Sequence, residues 1–151
     1  MRAIVQRVSR AQVRICDEIR GEINRGFVIL LGVAAGDSEV DAQFIADKIL
    51  KMRVFDDSAG KMNLALDAPE VAGALLVVSQ FTLLADTNAG RRPSFTNAAA
   101  PDEARRLYEH FLSLVRQSGV RVETGEFGAA MEVELVNNGP VTIILDSRNR
   151  T

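Results

Sequence analysis

Cysteine, histidine and tryptophan are nearly missing from this sequence, which has one Cys, one His and no Trp in 151 residues. A lone Cys16 forms no intrachain disulfide and cannot join a thiol cluster around a metal. No histidine lies near Ser79 or Thr82 in sequence, so a Ser-His-Asp relay lacks its base, and no Gly-x-Ser-x-Gly elbow occurs. The two scarcities together leave no ordinary zinc site, and neither metal nor cofactor is expected. Long apolar runs are missing too. None approaches the ~20 residues of a membrane-spanning helix. The opening Met1-Arg2-Ala3-Ile4-Val5-Gln6-Arg7 lacks the apolar core of a signal peptide, so a cytoplasmic location is expected. Nor is there a cationic excess: 18 Lys and Arg against 20 Asp and Glu leave a net charge of -2. That balance argues against a long nucleic-acid track. Arg2, Arg7, Arg10 and Arg14 at one end, with Arg148 and Arg150 at the other, form either a small terminal patch or a set of scattered solvated arginines.

What is present suits one globular domain spanning residues 1–151, with 47% hydrophobic residues and no linker, repeat or low-complexity segment. Residues 2–35 read as β structure, ending in the apolar run Phe27-Val28-Ile29-Leu30-Leu31-Gly32-Val33. Asp17-Glu18 and Arg20-Gly21-Glu22 have the composition of hairpin turns. Arg7 shares parity with Ala3 and Val5, so it either points inward and needs acceptors or snorkels to a rim. Asp37 or Ser38 caps a helix whose apolar face is Ala42, Ile45, Ile49 and Met52. Val54-Phe55 reads as a short strand, and Asp56-Asp57-Ser58-Ala59-Gly60 as a solvated turn. Pro101-Asp102-Glu103 opens a second helix with the stripe Ala104, Leu107, Tyr108, Phe111, Leu112 and Val115, and Gly119 stops it. His110 lies off that stripe. Residues 120–145 return to β structure. The expected fold class is therefore α/β, with mixed, largely antiparallel sheets and two main helices.

Two segments carry candidate chemistry. Residues 74–78 form a buried apolar strand, and Ser79-Gln80-Phe81-Thr82-Leu83 follows at its carboxyl end, where open α/β sheets keep their ligands; the alternative is a strand edge that simply becomes wet. The second is Asn137-Asn138-Gly139-Pro140-Val141-Thr142, which joins two strand-like runs. A cis bond at Gly139-Pro140 would turn two carbonyls to one side as an acceptor pair for an ammonium group. Without a histidine, the first segment offers hydroxyls, an amide and backbone N–H groups, which suit an oxyanion at an already activated ester. The polar loop at residues 86–97 holds Gly90-Arg91-Arg92-Pro93-Ser94-Phe95, able to grip a phosphate and a base, cap a helix or meet a second subunit.

On Ser79-Gln80-Phe81-Thr82 and Asn137-Asn138-Gly139-Pro140-Val141-Thr142 the sequence resembles the D-aminoacyl-tRNA deacylases of the bacterial and eukaryotic type. Supporting likenesses run through Met1 to Arg7, Arg92-Pro93-Ser94-Phe95 and Gly125-Glu126-Phe127-Gly128-Ala129. The resemblance implies the layered fold of that family and a homodimer with active sites at the subunit interface. It also implies hydrolysis of D-aminoacyl-tRNA, and of glycyl-tRNA mischarged on tRNA(Ala), as chiral proofreading. Catalysis would fall to Ser79, Gln80, Phe81 and Thr82. A cis Gly139-Pro140, with Asn138, would reach into the partner's site, hold the α-amino group and leave no room for an L side chain. Arg7 would brace that turn, and Phe127 and Met131 would flank the adenine. A small esterase with Thr82 as nucleophile and a non-catalytic RNA-binding module are the rival classes.

Overall fold

The computed structural model describes residues 1–88 and 90–149; Arg150 of the terminal arginine set lies outside them. Strand β1 (Arg2–Ile15) is the longest early element, and it is hydrogen-bonded on both edges. On one edge it meets β2 (Glu18–Ile23) and β3 (Gly26–Gly32), both antiparallel. On the other runs β8 (Glu132–Asp146), also antiparallel. Beyond β3 the apolar β6 (Ala74–Ser79) and then β7 (Arg121–Thr124) add in parallel. A small antiparallel pair, β4 (Phe55–Asp56) and β5 (Met62–Leu64), stands apart. The fold is α/β, and most of its strand pairs are antiparallel, as expected.

Helices α1 (Glu39–Lys51) and α2 (Pro101–Gln117) cover one face of the sheet. All six residues of the expected α2 stripe are buried, because they recur at helical spacing against the strand residues Phe27, Ile29, Leu75 and Val77. Ser38 caps α1, with the Asp41 carboxylate accepting its backbone N–H at 2.8 Å. Asp37 instead turns inward, 2.6 Å from the Met1 ammonium. On the opposite face the distal halves of β1 and β8 curl back, so that Val8, Ala11 and Val13 pack with Val28, Leu76 and Val78 in a second core. Among the described residues no helix is long and apolar enough to cross a membrane.

Three readings of the strands change. The β1–β2 turn is Cys16-Asp17, both with positive φ (49° and 64°), the two-residue geometry that matches strand twist. Arg20-Gly21-Glu22 is therefore not a turn but the interior of β2. Gly21 is there because β2 approaches β7: a Cβ on it would lie 2.9 Å from the Thr124 carbonyl oxygen. Finally, the Gly139-Pro140 pair does not separate two strands; it lies inside the single strand β8 as a bulge. Gln6 pairs with Thr142 and Val8 with Asn137, so the four residues 138–141 stand opposite Arg7 alone and loop out with an excess of three.

Phe111 is fully buried at the centre of the helix layer. Phe111→Ala is expected to lower the unfolding free energy by about 3–5 kcal/mol. Val40→Ala on the exposed side of α1, where Val40 is 62% exposed, should shift it by no more than about 0.5 kcal/mol. Urea denaturation of both variants checks the contrast.

Candidate active site

The carboxyl end of β6 forms one wall of a cavity of about 250 Å³. Ser79, Gln80 and Phe81 line it from β6 and the short 3-10 helix Phe81–Leu84; Tyr108 lines it from α2, Phe127 from the loop after β7, and Met131 from just ahead of β8. The predicted adenine pair and most of the Ser79 segment thus share one hollow. It is largely apolar, with the polar groups concentrated at the strand end. The Phe127 ring is held between the Tyr108 ring, centroids 5.8 Å apart, and the Arg105 guanidinium, 4.8 Å from its centroid. Gly32 lets the 3-10 helix sit against the end of β3: a Cβ there would fall 2.5 Å from Leu84 and 2.9 Å from the Gln80 carbonyl oxygen.

The hydrogen bonds decide what these groups can do. The Gln80 N–H is spent on the Leu31 carbonyl at 2.8 Å. The N–H groups of Phe81 and Thr82 open the 3-10 helix, where first-turn donors have no partner within the helix. The Gln80 side-chain amide donates to Thr82 Oγ1 at 2.5 Å. An amide N–H that donates to the hydroxyl cannot take its proton, so Gln80 is no base for Thr82. Thr82 itself is exposed and stands outside the cavity lining. His110, half-buried on α2, does not line the cavity either.

Tyr108 is the lining residue whose role the sequence hid. Helical spacing places it only as one member of the apolar stripe; its polar tip on an otherwise greasy face is the available signal. The hydroxyl donates to the Val77 carbonyl at 3.0 Å, and burial pushes its pKa up to about 12. It is thereby a packing and anchoring group rather than an acid or base near neutral pH.

The second predicted segment is built around Arg7, which is only 6% exposed. Its Nε donates to the Asn138 carbonyl at 3.1 Å, its Nη1 to the Val54 carbonyl at 2.5 Å, and Asp56 lies 3.5 Å away. Asn137, the first residue of the motif, bridges the bulge by donating to the carbonyls of Arg7 (3.0 Å) and Val141 (3.4 Å). The Gly139-Pro140 peptide is cis, and Gly139 has φ +126°. Asn138, Gly139 and Pro140 are all exposed. As for the terminal arginine set, Arg2 is tied to Asp146 and the Leu83 carbonyl, Arg7 is buried, and Arg148 pairs with Asp37, so those three brace the fold instead of forming a free patch.

The model for D-Tyr-tRNA(Tyr) deacylase matches residues 4–146. A D-aminoacyl-tRNA deacylase of Anaeromyxobacter dehalogenans is 57% identical over 148 residues, covering 98% of both chains. One of Dehalococcoides mccartyi is 57% identical over 150 residues, 99% of this chain and 97% of the relative. The chain belongs to the D-Tyr-tRNA(Tyr) deacylase family. It is an enzyme of that hydrolase family, and solved structures carry the same fold. The c-Myc DNA unwinding element binding protein superposes with a TM-score of 0.89 at 37% identity, over 97% of this chain and 98% of that one. A probable eukaryotic D-amino acid tRNA deacylase superposes at 0.81 over 95% and 97%, with 18% identity.

In this member of the deacylase family the two signatures are held apart. Val133 lines the cavity and Gly139 heads the bulge on the same strand, six residues and roughly 20 Å along it at about 3.3 Å per residue. The neighbours of the bulge, Arg7, Val54 and Asp56, do not line the cavity.

Tyr108 is the only tyrosine, and the chain has no tryptophan, so ultraviolet titration reads its phenolate alone. The midpoint is expected near 12 in the native protein and near 10 in denaturant. Because the folded-state pKa is the raised one, the stability tied to this proton is complete below about pH 10 and is lost as pH climbs towards 12. Tyr108→Phe should lack that alkaline loss.

Proposed function

We propose that this chain, working as one deacylase domain over residues 1–151, hydrolyses the ester between a D-amino acid and the terminal adenosine of tRNA, with each active site completed by a second copy. The observation that carries the reading is the separation just described: one chain presents a cavity at Ser79-Gln80-Phe81 and, well away from it, a rigid exposed bulge at Gly139-Pro140. A two-fold partner can supply to each cavity what its own chain holds elsewhere, since a two-fold contact is reciprocal. The outer edge of β8 carries no strand, and Ile144 and Val136 on it are 68% and 37% exposed, which supports an intersubunit contact along that strand.

In this reading Phe127 and Met131 flank the adenine and the ester lies over the end of β6. Water adds to the carbonyl carbon, the carbonyl oxygen becomes an oxyanion, and the bond to the ribose oxygen breaks as that oxygen takes a proton. Free tRNA and the amino acid leave. The N–H groups of Phe81 and Thr82, with that of Ser79, meet the oxyanion; one such donor is worth about 10² to 10³ in rate. Thr82 shapes the pocket through Gln80, whose side chain it holds at the cavity wall by accepting its hydrogen bond, and the substrate's ribose 2′-hydroxyl assists the attack. The bulge of the partner subunit, Asn138 included, holds the α-amino group through its carbonyls, so that an L side chain would collide with the backbone. Glycine carries nothing to exclude, and glycyl-tRNA, including glycine mischarged on tRNA(Ala), is hydrolysed too. The biological role is chiral proofreading in the cytoplasm, part of translation quality control and D-amino acid metabolism.

Purified protein offered D-tyrosyl-, L-tyrosyl- and glycyl-tRNA should release the first and third and spare the second; equal loss of D and L esters would mean a general esterase. A Thr82→Ala protein should keep turnover. Loss of turnover with intact binding, or an acyl adduct on Thr82, would favour the nucleophile reading. A Cβ at Gly139 would lie 2.8 Å from Arg7 Nη2, and Gly139→Ala is expected to lower kcat/KM by about 10² through misplacement of the bulge. Mixing it with Gly32→Val, which displaces the 3-10 helix, tests the shared site. Random dimers should regain about a quarter of the wild-type sites, whereas no recovery would put bulge and cavity to work within one chain.

A further inference from the structure

A surface at the cavity mouth is left unused by the chemistry above. Phe81 lines the cavity yet is 56% exposed, and its ring meets that of Phe95, 38% exposed, edge to face with centroids 5.1 Å apart. Two wet aromatic rings held against each other form a step without a hydrophobic lid. The adjoining loop closes on itself where Asp86 and Ser94 exchange backbone hydrogen bonds of 2.7 and 2.8 Å, and it carries Arg91 and Arg92, both exposed. Among the described residues neither arginine has an ion-pair or hydrogen-bond partner. Arg105, the guanidinium over Phe127, is also exposed and has no acidic partner among the described residues. Next to it Arg106 is fully engaged by Glu39 and Glu103 at 2.7 and 2.8 Å. On a chain of net charge -2, one such guanidinium over the cavity ring Phe127 and two on the loop that leads into Phe95 leave local positive charge on this side of the cavity.

Exposed aromatics beside unneutralised guanidinium groups are what single-stranded nucleic acid binds: rings stack bases, and cations meet phosphates. We infer that Phe81 and Phe95, with Arg91 and Arg92, form a subsite for the unpaired nucleotides that precede the terminal adenosine. A base stacks on the Phe81–Phe95 step and the flanking phosphates lie on the two arginines, which draws the 3′ end into the cavity. The inference rests on the deacylase reading of that cavity.

The test compares two substrates, D-tyrosyl-tRNA and D-tyrosyl-adenosine, which keeps the ester and the adenine but has no preceding nucleotide. Arg91→Gln with Arg92→Gln, and separately Phe95→Ala, should lower kcat/KM on the tRNA by about tenfold or more and leave the nucleoside ester unchanged. With two phosphate contacts removed, the logarithmic salt dependence on the tRNA should flatten by about 1.4. Unchanged rates on the tRNA, or equal losses on both substrates, would overturn the inference. So would a change in the native mass of the arginine variant, which would put those residues at a subunit contact. Wild-type protein inactive on both substrates would sink the deacylase reading itself, and the subsite with it.

Discussion

A guanidinium buried to 6% exposure is the constraint around which the chain is arranged. Arg7 cannot be stripped of water without acceptors, and an unpaired cation in that place would be prohibitive. Its acceptors come from far along the chain: the Asn138 carbonyl on β8, the Val54 carbonyl ahead of β4, and the Asp56 carboxylate. Satisfying one side chain therefore docks the β4–β5 pair against the sheet and holds the bulge of β8 in one position. The guanidinium also explains why the bulge lies where it does. Three excess residues between Thr142 and Asn137 displace the backbone of β8 opposite Arg7, and the Asn138 carbonyl meets the guanidinium there. Asn137 then closes the other side through two carbonyls. A bulge braced from both sides is a rigid object, and rigidity is what an exposed loop lacks when it projects into water.

The cavity is organised on a different principle. Among the described residues, no side chain that lines it is a histidine, a carboxylate or an amine that could serve as a base. Tyr108 donates to Val77 and holds its proton to about 12, Thr82 accepts from Gln80, and His110 does not line the space. What remains is backbone at the mouth of a short helix, positioned by Gly32 because nothing larger fits beneath Leu84 and Gln80. Main-chain donors fixed by a sheet need no reorganisation as charge develops, which is where electrostatic stabilisation is most effective. An aminoacyl ester is already activated, so such a site does not have to generate a strong nucleophile.

Much of this was legible in the sequence wherever neighbours in space are neighbours along the chain. The α2 stripe, the Ser38 cap, the buried strand before Ser79 and the inward parity of Arg7 all follow from local periodicity. What escaped depends on contacts across the chain. Gly21 looks like a turn residue until β7 is known to press against it, a hundred residues later. Gly139-Pro140 looks like the end of a strand until β1 is seen to pair on both sides of it. Tyr108 looks like core because its partner, Val77, is a carbonyl on another element. The resemblance of the two signatures bridged that gap for the site residues, but nothing local says that the signatures lie apart in one chain.

A filter made of backbone has a built-in limit. The proposed exclusion at Gly139-Pro140 acts on size and hand, and steric exclusion rejects only what is larger than the space it leaves. A hydrogen where the side chain would be fits either hand, so glycine passes. Rejecting it would require the D side chain to gain a contact that glycine lacks, and a methylene-sized contact discriminates by only about 10- to 200-fold. The part of the cavity lined by Phe127 and Met131 is taken by the base in the proposed reading. A filter of the proposed kind would serve D-amino acids of many sizes and, by the same geometry, would have no grip on any one of them. In the proposed reading, breadth towards D side chains and blindness to glycine would be a single physical property of the bulge.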